Sequence, residues 1–298
     1  MNYEEIEYLR AYPKEFLYPI GLPFDEKLAE NIDDLMSRVN NGKASLIIID
    51  GGVGEGKTTL GVQIGEYAQK KTLEFDKQLS MGGGEFMKKA EACYNNGLHV
   101  LIYDEAGDFN RRGSLKSFNA MINRFFETYR AYKILVIICV PDFNVLDQQL
   151  FRNKIPRLLL HLYNRKRTFG NYRAYSLYRM FYIKNKMLKG IVPSWAFMST
   201  EPNFYGHNKN LPPERADELA KISTASKLNT LKDSRRQLEG LMSIEDLARK
   251  LKLESSGVRK TIKELNIDYV DKRGRTFLFP KETLDDLKHH LAIKRGKR

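Results

Sequence analysis

The sequence predicts an α/β fold, a mostly parallel sheet flanked by helices, with a second and smaller domain at the carboxyl end. Three observations carry this. Short β-branched or wholly apolar runs at 45–50, 98–103, 134–140 and 158–163 alternate with longer amphipathic stretches, the signature of βαβ units whose strands are buried on both faces. A glycine-rich segment joins the first of these strands to a helix. Beyond residue 230 the pattern changes to two short helices followed by two short strands.

The elements follow in order. Residues 1–23, with Pro13, Pro19 and Pro23, read as an arm lying across the domain. Leu28, Ile32, Leu35 and Val39 recur at three- and four-residue steps and predict an amphipathic helix over 24–40, closed by Asn41-Gly42. Strand 45–50 leads through the glycine-rich turn into a helix over 57–71. A strand over 75–80, a helix over 85–95, a strand over 98–103, a long helix over 115–132 and a strand over 134–140 come next. Strand 158–163 is expected to pair, after the turn Thr168-Phe169-Gly170-Asn171, with a hairpin strand over 174–183. Residues 191–230, with Pro193, Pro202, Pro212 and Pro213, read as a linker packed partly on the core. The expected organisation is therefore an arm (1–23), a first domain (24–190), a linker (191–230) and a second domain (231–298).

Composition excludes several classes. Hydrophobic residues make up 42% of the chain, too many for a disordered protein. The apolar run 134–140 stops at Pro141, far short of the ~18 residues of a membrane-spanning helix, so no membrane partner is expected. Residues 1–10 hold three glutamates and no apolar stretch, unlike a signal peptide. Cys93 and Cys139 lack metal spacing and read as small buried hydrophobes of a reducing, cytoplasmic compartment.

The net charge of +13 is unevenly placed. Residues 1–147 hold 17 basic and 22 acidic side chains, residues 148–200 hold 11 and none, residues 201–230 hold 4 and 4, and residues 231–298 hold 18 and 11. The positive field thus lies in the second half, where it attracts polyanions, DNA above all.

Gly51, Gly52, Val53, Gly54, Glu55, Gly56, Lys57 and Thr58 fit G-x-x-x-x-G-K-[ST] between a buried strand and a helix, the context a P-loop requires. Glycines let the backbone aim its N–H groups at phosphate oxygens, and the helix presents the positive end of its dipole. Lys57 is expected on the β- and γ-phosphates of ATP, Thr58 on Mg²⁺ and Thr59 on the α-phosphate. Asp104 and Glu105 end the strand 98–103, so Asp104 is assigned to the metal and Glu105 to the attacking water. A cation for the charge developing on the γ-phosphate has candidates in Arg111, Arg112, Arg130 and Arg152, and sequence does not choose among them.

The segments GGVGEGKTT (51–59) and LIYDEAGDF (101–109), with the strand, Pro141, Asp147 and arginine of 130–152, resemble the HerA/FtsK-like P-loop ATPases. The likeness is to their zonula-occludens-toxin-like and viral or plasmid DNA-handling members, and it covers 45–183. It implies an ATP hydrolase of a mobile element or virus that assembles as a homo-oligomer, a ring being one form, and moves or packages DNA. One departure stands out. The polar sensor such enzymes carry at the end of the fourth strand is replaced by Cys139-Val140-Pro141, and the membrane segment of the toxin-like members is missing.

Two further segments point to DNA. Arg165, Lys166, Arg167, Arg173 and Arg179 interleave with Phe169, Tyr172, Tyr175, Tyr178 and Tyr182, which suits stacking beside phosphates. Alternating aromatics fit the buried face of a strand equally well. Ser243-Ile244-Glu245-Asp246 is a capping box opening a helix with Leu247, Ala248 and Leu251 inward. The next helix turns Arg259, Lys260 and Lys263 outward, and a hairpin with Arg273 and Arg275 at its tip follows. This has the pattern of a winged helix-turn-helix, whether it docks DNA or protein, with Lys252 where many have glycine. The reading is a DNA-handling ATPase. A nucleotide-gated DNA-binding regulator and, less supported, a small-molecule kinase stand as alternatives.

Overall fold

The computed structural model describes residues 22–43, 45–104, 112–128, 132–165, 168–239, 241–269, 271–273, 276–280 and 282–296. Within these, the side chains of 112–118, 128, 165, 168–169, 229–239, 271–273 and 294–296 are not described. The arm expected over 1–23 lies outside them except for its last two residues. The chain divides into two compact units, 1–226 and 227–298.

Unit 1 is α/β. Its elements are α1 (Glu26–Asn40), β1 (Ser45–Asp50), α2 (Lys57–Gln69), α3 (Phe75–Gln78), β2 (Leu79–Ser80), α4 (Gly83–Asn95), β3 (Val100–Asp104), α5 (Arg112–Thr128) and β4 (Leu135–Val140). After a 3-10 turn come α6 (Gln148–Arg152), β5 (Pro156–Arg165), β6 (Thr168–Ser176), α7 (Leu177–Leu188), α8 (Pro193–Met198), β7 (Phe204–His207) and the start of α9 (Pro213–Glu239). The sheet runs β2-β3-β4-β1-β5-β6-β7. Strands β2 to β5 pair in parallel, and β6 and β7 add antiparallel strands at the far edge.

Alternation along the central strands divides the interior into two cores. Ile47 and Ile49 of β1 with Ile137 of β4 face α1 and α2, where Leu28, Ile32, Leu60 and Ile64 are fully buried. Leu46, Ile48 and Ile138 face the other way, toward Phe86 of α4, Phe125 of α5, Met180 of α7 and Phe197 of α8. Every residue of β1 and β4 is buried, which is why both read as unbroken apolar runs.

Three expectations are corrected. The strand expected over 75–80 is a single helical turn, with Phe75 and Gln78 buried, and only Leu79–Ser80 pairs with β3. The hairpin strand expected over 174–183 ends at Ser176. From Leu177 the inward residues Met180, Ile183, Lys184 and Met187 follow helical spacing. Residues 191–230, read as a linker, carry α8, the edge strand β7 and the first half of α9. Two of their four prolines start helices, Pro193 at the first turn of α8 and Pro213 at the head of α9.

Unit 2 holds β8 (Leu241–Ser243), α10 (Ile244–Leu251), α11 (Ser255–Glu264), β9 (Asp271–Arg273), β10 (Thr276–Pro280) and α12 (Thr283–Gly296). Its sheet has the order β8-β10-β9, all antiparallel. The capping box forms: Asp246 N–H donates to Ser243 Oγ at 3.1 Å, and Ser243 N–H to Asp246 Oδ2 at 3.2 Å. Leu247, Val258, Ile262, Phe279 and Leu287 make its core.

Candidate nucleotide and metal site

Strand β1 ends in Asp50, the chain turns through Gly51 to Gly56, and α2 begins at Lys57. Gly56 sits in the left-handed region at φ 89°, where a Cβ is disfavoured, and caps α2 with no side-chain acceptor. The first-turn amides of α2 therefore have no intrahelical acceptor. At Gly51 a Cβ would fall 2.8 Å from Leu162 O of β5, so glycine lets the turn hug the sheet. Val53 at the loop tip is 98% exposed.

Lys57 Nζ donates to Gly51 O at 2.8 Å and Gly52 O at 2.7 Å, folding its stem back along the loop. An ammonium has three donors, so one remains for an anion in the loop. Thr58 Oγ1 donates to Asp104 Oδ2 at 2.7 Å, joining the start of α2 to the end of β3. Asp104 is largely buried. A hydroxyl and a carboxylate oxygen are hard donors. Together they fit Mg²⁺, which takes one or two carboxylates plus phosphate oxygens and water. Among the described residues no group of three or more His, Cys, Asp or Glu is arranged to hold a metal.

The remaining expected residues divide. Glu55 does not project away from the loop: its Oε2 accepts from Gly52 N–H, a carboxylate taking up one loop amide. Arg152 is exposed at the end of α6 and donates to Gln148 Oε1 at 3.4 Å. Among the described residues no hydrogen bond or ion pair ties it to the loop. Glu105, Arg111, Arg130, Lys166, Arg167 and Arg275 lie outside the described residues. Arg112, Arg165 and Arg273 are placed by backbone only, at the head of α5, the end of β5 and the end of β9. Arg259, Lys260 and Lys263 are exposed on α11.

Sequence reasoning missed a polar knot behind the loop. Asp50, 1% exposed, meets His161 Nδ1 of β5 at 2.9 Å and accepts Phe143 N–H at 3.3 Å. The His161 ring stacks on Phe197 at 3.8 Å. Asp50 thus ties the end of β1 to the turn after β4 and to the middle of β5, beside Gly51. The only signal was an acid closing the apolar run 45–50. Cys139, where a polar sensor was looked for, directs Sγ at Lys57 O, 3.6 Å away. Burial pushes its thiol well above the ordinary range, so it stays a neutral thiol.

No family model matches the chain, and no curated protein does. Among solved structures it is similar to domain III of the replication initiation protein DnaA of Thermotoga maritima, at 16% identity over 54% of this chain and 70% of that one, TM-score 0.30. It is similar to PCH-2 of C. elegans at 12% identity, over 62% of this chain and 51% of that one, TM-score 0.31. The FIGL-1 AAA domain in complex with ADP gives 13% identity over 67% of this chain and 87% of that one, TM-score 0.32.

Proposed function

We propose that the chain is an ATP-hydrolysing, DNA-handling protein of a mobile element or virus, in which unit 1 turns over ATP with Mg²⁺ and the basic second half engages DNA. One observation supports this above the others: Lys57 folded onto a glycine loop beside a Thr58–Asp104 pair. In this reading the loop amides and the free Lys57 donor bind the phosphates, while Thr58 and Asp104 hold the metal. When bound, the ion would neutralise charge on the phosphate oxygens. Glu105 is assigned to orienting the attacking water, and an arginine from the chain or from a second copy to the developing charge. On α11, Arg259, Lys260 and Lys263 face solvent with the spacing of a groove-reading helix.

The test is ATP turnover by wild type, Lys57→Ala and Glu105→Gln, with and without single- and double-stranded DNA. Both substitutions abolish turnover, the second leaving ATP binding intact, and DNA raises the wild-type rate. Rates indifferent to every DNA, together with binding to one defined duplex sequence, would instead make the protein a nucleotide-gated regulator. The helix-turn-helix pattern of α10 and α11 is the observation that favours this second reading.

A further inference from the structure

Helix α7 is apolar on two opposite faces, and its own core covers only one. Met180, Ile183 and Met187 turn inward against Phe143, Phe151 and Phe197. Outward, at the same helical steps, stand Tyr178 (81% exposed), Phe181, Tyr182 (56%) and Leu188. A helix hydrophobic all round is normally buried.

The uncovered face continues onto α8. Lys186 Nζ lies 4.3 Å from the Tyr182 ring centre and donates to Ser199 Oγ at 2.8 Å and Thr200 Oγ1 at 3.2 Å. Ser199 Oγ in turn donates to the carbonyl of Trp195, whose ring is 66% exposed. Arg179 donates to Glu201 O at 2.7 Å, holding the segment after α8 against α7. Beyond it a hollow of about 420 Å³ is lined by Arg173, Met198 and the exposed Tyr205. Arg173 lays its guanidinium over the Tyr163 ring, 4.8 Å from its centre.

What would cover this surface is a question of charge. Residues 148–200 carry 11 basic and no acidic side chains, and the lining of the hollow adds one carboxylate, Glu201, so the surface as a whole favours a polyanion. The exposed rings Tyr178, Tyr182, Trp195 and Tyr205 are flat, with polar edges, and sit among Arg173, Arg179, Lys186 and Lys189. Aromatic faces interleaved with cations are what unpaired bases and their phosphates require. A duplex keeps its bases stacked inside and offers none. We propose that α7, α8 and the rim of β7 form a stacking platform for single-stranded nucleic acid, separate from the duplex-reading helix of unit 2. This deepens the reading of the chain as a DNA-handling protein and rests on it.

Trp195 is the chain's one tryptophan, so the platform carries its own reporter. The experiment titrates a thymidine 20-mer and a 20-base-pair duplex into the full chain, reading Trp195 emission and the anisotropy of end-labelled probes. Single strand quenches Trp195 and duplex does not. The Tyr178→Ala/Tyr182→Ala variant, altered at exposed positions, weakens single-strand binding about tenfold or more. Tyr178→Phe/Tyr182→Phe, which keeps the rings, binds like wild type. The triple variant Arg259→Ala/Lys260→Ala/Lys263→Ala loses duplex binding only. Single-strand affinity unchanged by the alanine variant, with duplex binding intact, overturns the platform and leaves the DNA-handling reading standing. Absence of binding to either probe overturns both. A shift from oligomer to monomer in sedimentation of the alanine variant, with single-strand affinity unchanged, makes the face a contact between copies and overturns the proposal.

Discussion

Thr58 Oγ1 donates to Asp104 Oδ2 across 2.7 Å, although the strand bearing Asp104 is not a neighbour of the strand leading to Thr58. Strand β4 lies between them, so two strand spacings, roughly 10 Å, have to be bridged. The start of α2 does this by lying low over β4. A Cβ at Gly61 would stand 3.3 Å from Cys139 Sγ, a tight contact, so glycine lets the helix approach β4 this closely.

Because the pair offers two hard oxygens to one point, Asp104→Asn should weaken metal use without harming the loop. Turnover falls about a hundredfold, and the Mg²⁺ concentration for half-maximal rate rises at least tenfold. Nucleotide binding without metal is unchanged. Steady-state rates against Mg²⁺ concentration, with Thr58→Ala alongside, read this out. An Asp104→Asn variant with wild-type Mg²⁺ dependence would falsify the assignment of the pair to the metal.

Glu55 sets one negative charge against the loop while serving as acceptor for Gly52 N–H. Glu55→Gln keeps an acceptor of the same reach and removes the charge, so a triphosphate binds about two- to fivefold tighter at low salt. Raising the salt shrinks the gain, because the charge is only partly buried. Equilibrium titration with a fluorescent ATP analogue at two ionic strengths decides it. Equal affinities at low salt would show that the carboxylate does not feel the phosphates.

How far these features were legible depends on how far apart in sequence the interacting groups lie. The glycine loop, Lys57 and Thr58 are contiguous, and Asp104 closes an apolar strand, so pattern alone located them. The Asp50–His161 contact joins residues 111 positions apart and leaves no local trace. Residues 174–183 misled because their aromatic richness favours a strand, whereas the spacing of Tyr175, Tyr178 and Tyr182 and of the inward Met180, Ile183 and Lys184 is helical. Lys252 was noted where glycine is usual, and it does occupy a left-handed conformation, φ 54°, at the end of α10. The backbone demand was thus readable even though the residue broke the rule.

Glu66 on α2 is fully buried and faces Arg215 of α9 at 2.7 Å. The guanidinium also donates to Leu73 O at 3.0 Å and lies over the Phe75 ring. Removing one partner of a buried pair strands the other charge. Arg215→Met therefore lowers unfolding free energy by about 3–5 kcal/mol, whereas Glu66→Leu/Arg215→Met recovers most of the loss. Urea unfolding midpoints of the three proteins test this. A double variant no more stable than the single one would mean that the arginine acts through its carbonyl and ring contacts instead.

Lys184 gives the fold a pH dependence of unusual sign. Burial pushes its ammonium down from 10.5 to about 8, against the upward pull of Asp142 and Asp147. Its Nζ donates to Leu146 O and to Asn144 O, backbone acceptors that hold it inside. Between about 8 and 10.5 the unfolded chain keeps this proton while the folded chain has lost it. Stability then rises with pH across that window, by at most about 3 kcal/mol, and this contribution is flat below it. Cys93 and Tyr175, both pushed up to about 12 by burial, act oppositely, since the folded state holds their protons longer. The difference between wild type and Lys184→Met cancels those shared groups. Measured by urea unfolding between about pH 7 and 10, that difference grows in favour of wild type as pH rises. A difference constant over the range would show that Lys184 keeps its proton in the folded as well as the unfolded state up to about pH 10.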